Sequence, residues 1–481
     1  MEIIKRRALI LLAVSVSGSC YFFSIGLSGC GALIWFAPFP ILILSIDLLP
    51  RQTLIVSFCT SMIGSFTLYQ YLAHTLLMPP GGVIILLAIP AAGFALAVAA
   101  ARYVALEISP SAAIFVFPSV MTLYGYLTSI LSPNGTAGNI AYTQVDFLPL
   151  MQIVSITGLF GITFLLGLVP SGFAMAWHLR KNRKAAILAT GVPLALLLSF
   201  IAYGSYRLSI PVEGQTVRVG LAATDLTIRH SRATTKEEGL SVVKEYAGRV
   251  EKLAAQGVKI IVLPEKFVGV TDSYADETYK TLATAARRGE VILVAGLNLI
   301  STDVSRNVAV IFSPDGRVLG EYGKIHLVPG FETRYQSGTE PFMFLFSGIK
   351  FGVAICKDMD FPGLLSRYGR DGAGILLVPA WDFGVDAKWH ARMAITRGIE
   401  SGFSVVRTAQ DGLLTVSDHM GRIIAQEKSS AGPEVILSAI IHTGTGGTFY
   451  SIYGDWVVRL NLLFITWIII LSFYKNLRIK K

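Results

Sequence analysis

Three side chains in this sequence have the types that nucleophilic chemistry at an acyl carbon needs. Each stands at the end of an apolar run or in a loop close behind one. Glu265 closes Ile260-Ile261-Val262-Leu263-Pro264-Glu265, and Cys356 closes Phe351-Gly352-Val353-Ala354-Ile355-Cys356. Lys324 lies in Glu321-Tyr322-Gly323-Lys324-Ile325-His326-Leu327-Val328-Pro329. Strand ends of α/β sheets are common places for sites. A thiol attacks esters and amides well, but only as thiolate, and its free pKa is about 8.5. A nearby carboxylate can take its proton, and an ammonium can hold the tetrahedral oxyanion. Taken singly, each residue has a plainer reading: a strand-end charge, a solvated lysine, a small buried hydrophobe. Spacing alone does not bring the three together.

The elements that must position them lie in an uneven chain. Of 481 residues, 53% are hydrophobic and only 15% charged, against roughly 25% charged in soluble domains, and the mean hydropathy is +0.59. Much of the chain is therefore expected in lipid. The net charge of +10 does not point to nucleic acid. Between Arg207 and Asp455 there are 27 basic and 27 acidic residues, so the excess lies wholly in the apolar flanks. Basic residues beside apolar spans are topology signals. Cys20, Cys30 and Cys59 lie in apolar stretches and Cys356 alone in the charged middle, so no disulfide framework is implied.

A bilayer core needs about 20 apolar residues per helix. Seven such spans are read near 8–28, 31–49, 53–73, 82–104, 111–131, 148–177 and 185–206, with an eighth from about Trp456 to Tyr474. With the N-terminus inside, the inner loops hold Lys5-Arg6-Arg7, Arg51, Arg102, the 180–184 cluster and the 475–481 tail. The opposite short loops, near 74–81 and 132–147, hold no Lys or Arg. Eight spans then return the C-terminus inside and place 207–455 outside, which in a bacterium is the periplasmic face of the inner membrane. Leu27-Ser28-Gly29-Cys30 has the look of a lipoprotein signal, but apolar Gly31-Ala32-Leu33-Ile34-Trp35 follows instead of a polar tether, and an uncleaved first helix is the better reading. Three regions result: 1–206 with seven helices, 207–455 as an extracytoplasmic domain, and 456–481 as a last helix and basic tail.

Within the middle region, Val217–Ala223 is a short β-run and Lys236–Ala255 has helical periodicity. The Glu265 strand comes next, with further apolar strands at 291–300, 308–313, 344–356 and 375–379. Asp315-Gly316 and Asp418–Gly421 read as turns. A layered α/β domain is expected.

Glu265, Lys324 and Cys356, in that order and those contexts, resemble the triad of the nitrilase, or carbon–nitrogen hydrolase, superfamily. The whole chain resembles its membrane branch, the apolipoprotein N-acyltransferases. Trp35-Phe36-Ala37-Pro38-Phe39-Pro40, Ala141-Tyr142-Thr143-Gln144, Pro149-Leu150-Met151-Gln152, Gly158-Leu159-Phe160-Gly161, Lys324-Ile325-His326-Leu327-Val328-Pro329 and the run His390–Glu400 carry the likeness. The resemblance implies a polytopic helical membrane protein of about eight spans with a nitrilase-like αββα sandwich inserted before the last helix. It implies an acyl chain passing from a phospholipid to Cys356 and then to the α-amine of diacylglyceryl-cysteine on an apolipoprotein, with no metal or organic cofactor. Glu332, eight residues after Lys324, falls where the family has a further carboxylate that helps position the lysine and the nucleophile.

Two departures bear on substrate identity. The family follows its cysteine with Tyr-Glu, whereas this chain has Lys357-Asp358; Asp358 keeps a carboxylate, and Lys357 brings a charge that would favour the thiolate or reshape the acyl pocket. The family's Trp-containing motif early in the domain is replaced by Ala222-Ala223-Thr224-Asp225-Leu226. A hydrolase in which water resolves the thioester, transfer to another amine, and a non-catalytic lipid- or lipoprotein-binding relative are the alternatives. Phe267–Val270, Trp381–Gly384 and Gly444–Tyr453 are the loops expected to dip into lipid.

Overall fold

A computed structural model describes residues 2–226, 231 and 235–479. The chain forms two compact units. One comprises Met1–Leu131, Gly138–Ser209 and Asp455–Lys481; the other comprises Ser132–Ala137 and Ile210–Gly454.

In the first unit, six helices among the described residues are long and apolar enough to cross a membrane: Ile4–Ile25, Pro80–Glu107, Pro110–Leu131, Leu159–His178, Arg183–Ser209 and Trp456–Leu477. The other two expected spans are not single long helices. The 31–49 stretch is a 3-10 turn, Gly31–Trp35, followed by a seven-residue helix, Phe39–Ser45. Pro38 and Pro40 lack the N–H that a continuous helix would need, and seven residues rise only about 10 Å. That helix ends on Arg102, whose Nε donates to the carbonyls of Ser45 and Leu48, both at 3.0 Å, so a cation meets the negative end of the dipole. The 53–73 stretch begins as the helix Pro50–Ser65 and continues through a 3-10 turn, Phe66–Leu68, and a π turn, Tyr71–Thr75. The expected sixth span is split as well, into Leu148–Met151, Val154–Thr157 and Leu159–His178, turning at Gly158 with φ +65°.

Two of the sequence motifs dock on one another here. Trp35 Nε1 donates to Gln144 Oε1 at 3.0 Å, and Gln144 Nε2 donates to the Gly31 carbonyl at 2.8 Å. Gly204 lets Arg183–Ser209 approach the Leu148–Met151 turn so closely that a Cβ there would sit 1.7 Å from the Pro149 carbonyl oxygen.

The second unit is a four-layer sandwich. One sheet runs, from edge to edge, Val435–His442, Thr216–Ala223, Ile260–Val262, Ile292–Ile300, Ser305–Phe312 and Val318–Gly323, with Val268–Thr271 and Tyr335–Gln336 as added pairs. The other runs Ile423–Lys428, Leu413–Ser417, Ser404–Gln410, Ile375–Trp381, Ile349–Val353 and Phe342–Phe346. Successive residues of a strand face opposite ways, and both faces here are apolar. Ile260, Val262, Ile375 and Leu377 fill the space between the sheets. Ile261 turns instead to the helices Lys236–Ala254 and Ala275–Gly289, and Leu376 and Val378 to Pro362–Arg370 and Ala387–Ser401. This double burial produces the continuous apolar runs seen in the sequence. The expected strand 344–356 is instead a hairpin, Phe342–Phe346 and Ile349–Val353, because Ser347 and Gly348 turn the chain with φ of +49° and +79°. Phe267–Val270 is core and not a lipid-facing loop: Phe267 and Val268 are fully buried.

Gly204→Ala is expected to destabilise the first unit by about 1–3 kcal/mol, the usual cost of overpacking. Thermal unfolding of the detergent-solubilised chain would read this as a lower Tm, whereas Gly191→Ala, with open space around its Cβ position, would leave Tm unchanged.

Candidate active site

The parallel strands of both sheets end at one rim, and three of the turns that follow them are strained. Lys266, after the Ile260–Val262 strand, has φ +48°; Cys356, after Ile349–Val353, has φ +43°; Asp411, after Ser404–Gln410, has φ +46°. Non-glycine residues hold such conformations only where their surroundings impose them, and they gather at functional sites.

Glu265 is buried at this rim. Its backbone N–H donates to the Ala380 carbonyl at 3.2 Å and its own carbonyl accepts from Gln410 Nε2 at 2.8 Å, so two strands of the opposite sheet fix it. Its Oε1 accepts from Lys324 Nζ at 2.7 Å and from Asn307 Nδ2 at 2.6 Å. Lys324 is 1% exposed and reaches Glu332 Oε2 at 3.0 Å as well. Burial alone would push its ammonium down, but Glu265 and Glu332, with a further contribution from Cys356, outweigh this and hold it well above the ordinary lysine value. Two of its three N–H groups face carboxylates, leaving one for a third acceptor.

Glu332 ties the cluster together. Its Oε1 accepts from Lys266 Nζ at 2.7 Å and Asn307 Nδ2 at 2.8 Å, and its Oε2 from the Val328 N–H at 2.8 Å. Burial pushes this carboxyl up, yet Lys324 and Lys266 more than reverse that and hold it well below the usual carboxylate range.

Cys356 opens a 3-10 turn, Cys356–Asp360, and is 8% exposed. Its S–H donates to the Trp381 carbonyl at 3.3 Å. Burial and the Glu265 charge push the thiol up; Lys324 and Arg407 pull it down, and Asp382 adds to the rise, leaving it well above its ordinary value. These surroundings favour the thiol over the thiolate.

Asp358 does not face the thiol. Its Oδ2 accepts from Tyr322 OH at 2.7 Å and the Ile355 N–H at 3.0 Å, and its Oδ1 from the His326 N–H at 2.8 Å. It locks the cysteine turn to the Lys324 segment. Lys357 Nζ lies 2.9 Å from Asn134 Oδ1 and 3.3 Å from Asp360 Oδ2. Asn307, Lys266 and the buried Asp382–Arg407 pair (Oδ2 to Nη1 3.1 Å) were not marked by the motifs. Asn307 had a readable signal, a polar side chain opening the apolar run Val308–Phe312. Among the described residues no group of three or more His, Cys, Asp or Glu side chains is arranged to hold a metal ion.

A model of the carbon–nitrogen hydrolases matches residues 220–446, and one of the apolipoprotein N-acyltransferase N-terminal domain matches residues 17–172. The chain belongs to the apolipoprotein N-acyltransferase family. An apolipoprotein N-acyltransferase of Geobacter metallireducens is 28% identical over 372 residues, 70% of each chain. A deaminated glutathione amidase of Synechocystis is 29% identical over 188 residues, 34% of this chain and 69% of that one. A crystal structure of a carbon–nitrogen hydrolase from Helicobacter pylori, 18% identical, aligns with a TM-score of 0.40 over 52% of this chain and 94% of that one. By its two family matches the chain is a nitrilase-superfamily enzyme related to the apolipoprotein N-acyltransferases.

Two measurements probe this geometry. In a background with Cys20, Cys30 and Cys59 replaced, iodoacetamide should label Cys356 many-fold faster at pH 10 than at pH 7; a rate already level by pH 8 would mean a preformed thiolate. For Glu332 the folded carboxyl lies below its unfolded value of about 4.3, so the stability it contributes is present above that pH and lost as pH falls through the folded value. Glu332→Gln should therefore lower stability at pH 7 by about 3–5 kcal/mol, typical for breaking a buried pair, and the gap to wild type should narrow progressively as pH falls below about 4.

Proposed function

We propose that this enzyme is a membrane N-acyltransferase that moves a fatty acyl chain from a phospholipid, through a thioester on Cys356, to the α-amine of diacylglyceryl-cysteine on an apolipoprotein. The observation that carries the reading is the convergence of a carboxylate and an ammonium, hydrogen-bonded to each other at 2.7 Å, with a neutral thiol held in a strained turn and subject to both their charges. The family to which the chain belongs supplies the substrate classes.

In the first step Glu265 takes the thiol proton as sulfur bonds to the ester carbon, and the oxyanion forms against Lys324 and the backbone N–H after Cys356. Collapse breaks the C–O bond, and the proton on Glu265 leaves with the lysophospholipid alcohol. In the second step the amine, whose pKa near 8 leaves a useful neutral fraction at pH 7, attacks the thioester. Glu265 takes the amine proton, the C–S bond breaks, and the proton returns to sulfur. Such a double displacement gives ping-pong kinetics. Both lipid substrates stay in one leaflet because each buried CH₂ is worth about 0.8 kcal/mol. The basic inner loops support an extracytoplasmic site, and the exposed Phe331, Val385, Phe449 and Ile452 are the surfaces offered to lipid. The amidase relative supports a second reading, in which water resolves the thioester.

Intact-mass analysis after incubation with phospholipid separates these readings. Wild type should gain one hydroxylamine-labile acyl chain, while Cys356→Ala and Glu265→Gln should gain none. An adduct that persists in buffer and discharges onto a diacylglyceryl-cysteine peptide supports the transferase. Rapid discharge into water supports the hydrolase, and no adduct with any phospholipid would overturn the proposal.

A further inference from the structure

We infer that Lys266 is a positioning residue that keeps the reacting cluster electrically neutral, holding Glu332 and, through it, Lys324 and Glu265 in their working ionisation states. This rests on the triad roles proposed above and adds a member to them. Its ammonium lies 2.7 Å from Glu332 Oε1 with its side chain 13% exposed. It also lies over two rings, 5.1 Å from the centre of Tyr335 and 5.5 Å from that of Trp381. A lysine at φ +48° directly after Glu265 is an uncomfortable residue in an uncomfortable conformation, and that turn aims its chain at the Glu332 loop.

The charges facing one another here balance. Glu265 faces Lys324, Asn307 and Cys356; Glu332 faces Lys324, Lys266, Asn307 and the Val328 N–H. Beyond the thiol, Asp382 pairs with Arg407, and both act on Cys356. Three carboxylates thus meet three cations. Without Lys266 the inner group of Glu265, Glu332 and Lys324 would carry one unneutralised negative charge in a buried place, and it would take up a proton instead. A proton held among these carboxylates is one that Glu265 cannot accept from the thiol. Lys266 also packs on Trp381, whose carbonyl holds that thiol, so it links the Glu332 carboxylate to the anchor of the thiol.

The test is the base-assisted acid limb of Cys356 reactivity between pH 4 and 8, which lies below the separate, thiolate-driven rise towards pH 10. It is read by iodoacetamide labelling of the full-length chain lacking the other cysteines, and in parallel by acyl-enzyme formation from phospholipid. Labelling does not depend on the acyl donor, so a failure of the acyltransferase reading would leave this measurement intact. Lys266→Met should move the acid limb up by about one pH unit or more, since an opposite charge within about 4–6 Å shifts a carboxyl by 1–3 units. Lys266→Arg should leave it in place. Lys266→Met combined with Glu332→Gln restores neutrality and should return the limb to its wild-type position, even though the rate is lower. A Lys266→Met variant that is slower at every pH with its limb unmoved, or a double variant whose limb stays displaced, would overturn the inference.

Discussion

A lysine ammonium with about 1% of its surface exposed exists only because carboxylates surround it. Desolvating one such charge costs several kcal/mol, and Lys324 offsets this with Glu265 and Glu332. Much of the second unit can be understood as the framework that keeps those carboxylates in place. Glu265 is pinned by backbone bonds to the opposite sheet, Glu332 by the Val328 N–H, and Asn307 bridges the two acids. Stability and function are joined at this point, because any change that loosens one acid leaves a buried cation without its partner.

The same burial acts on Cys356. It raises the thiol, so under the proposed function a base has to accept the proton before sulfur can react. The strained turn exposes sulfur to the Trp381 carbonyl, while Asp358 fastens that turn to the segment carrying Lys324. The geometry needed for chemistry is thereby set by three strand ends and one loop, not by any single local motif.

Glu265 and Cys356 stood out in the sequence because each ends an apolar run doubly buried in a sandwich, which leaves a polar terminus conspicuous. The αββα layering was legible for the same reason. Lys266 was not, since its partner Glu332 lies 66 residues away, and Asn307 showed only as a polar side chain opening an apolar run, with its bond to Glu332 spanning 25 residues. The spans at 31–49 and 53–73 read as full helices because hydropathy counts apolar residues and not their continuity. Prolines and 3-10 or π turns shorten the helices without changing the apolar content. The 344–356 run read as one strand because a two-residue reversal at Ser347-Gly348 hardly disturbs its composition.

The segment Ser132–Ala137 belongs to the second unit although the chain then leaves that unit until Ile210. Thr136 meets the Asp360 carbonyl through both its N–H and its hydroxyl, at 3.0 and 2.7 Å, and that hydroxyl also accepts from Arg397 at 2.9 Å. Asn134 accepts from Lys357. On the ribosome these six residues emerge long before their partners do, and their polar groups must wait for the sandwich to arrive. The catalytic sandwich is therefore not a separable gene module: a fragment cut at residues 210 and 454 would lack part of its own hydrogen-bonded interior, beside the turn that carries Cys356.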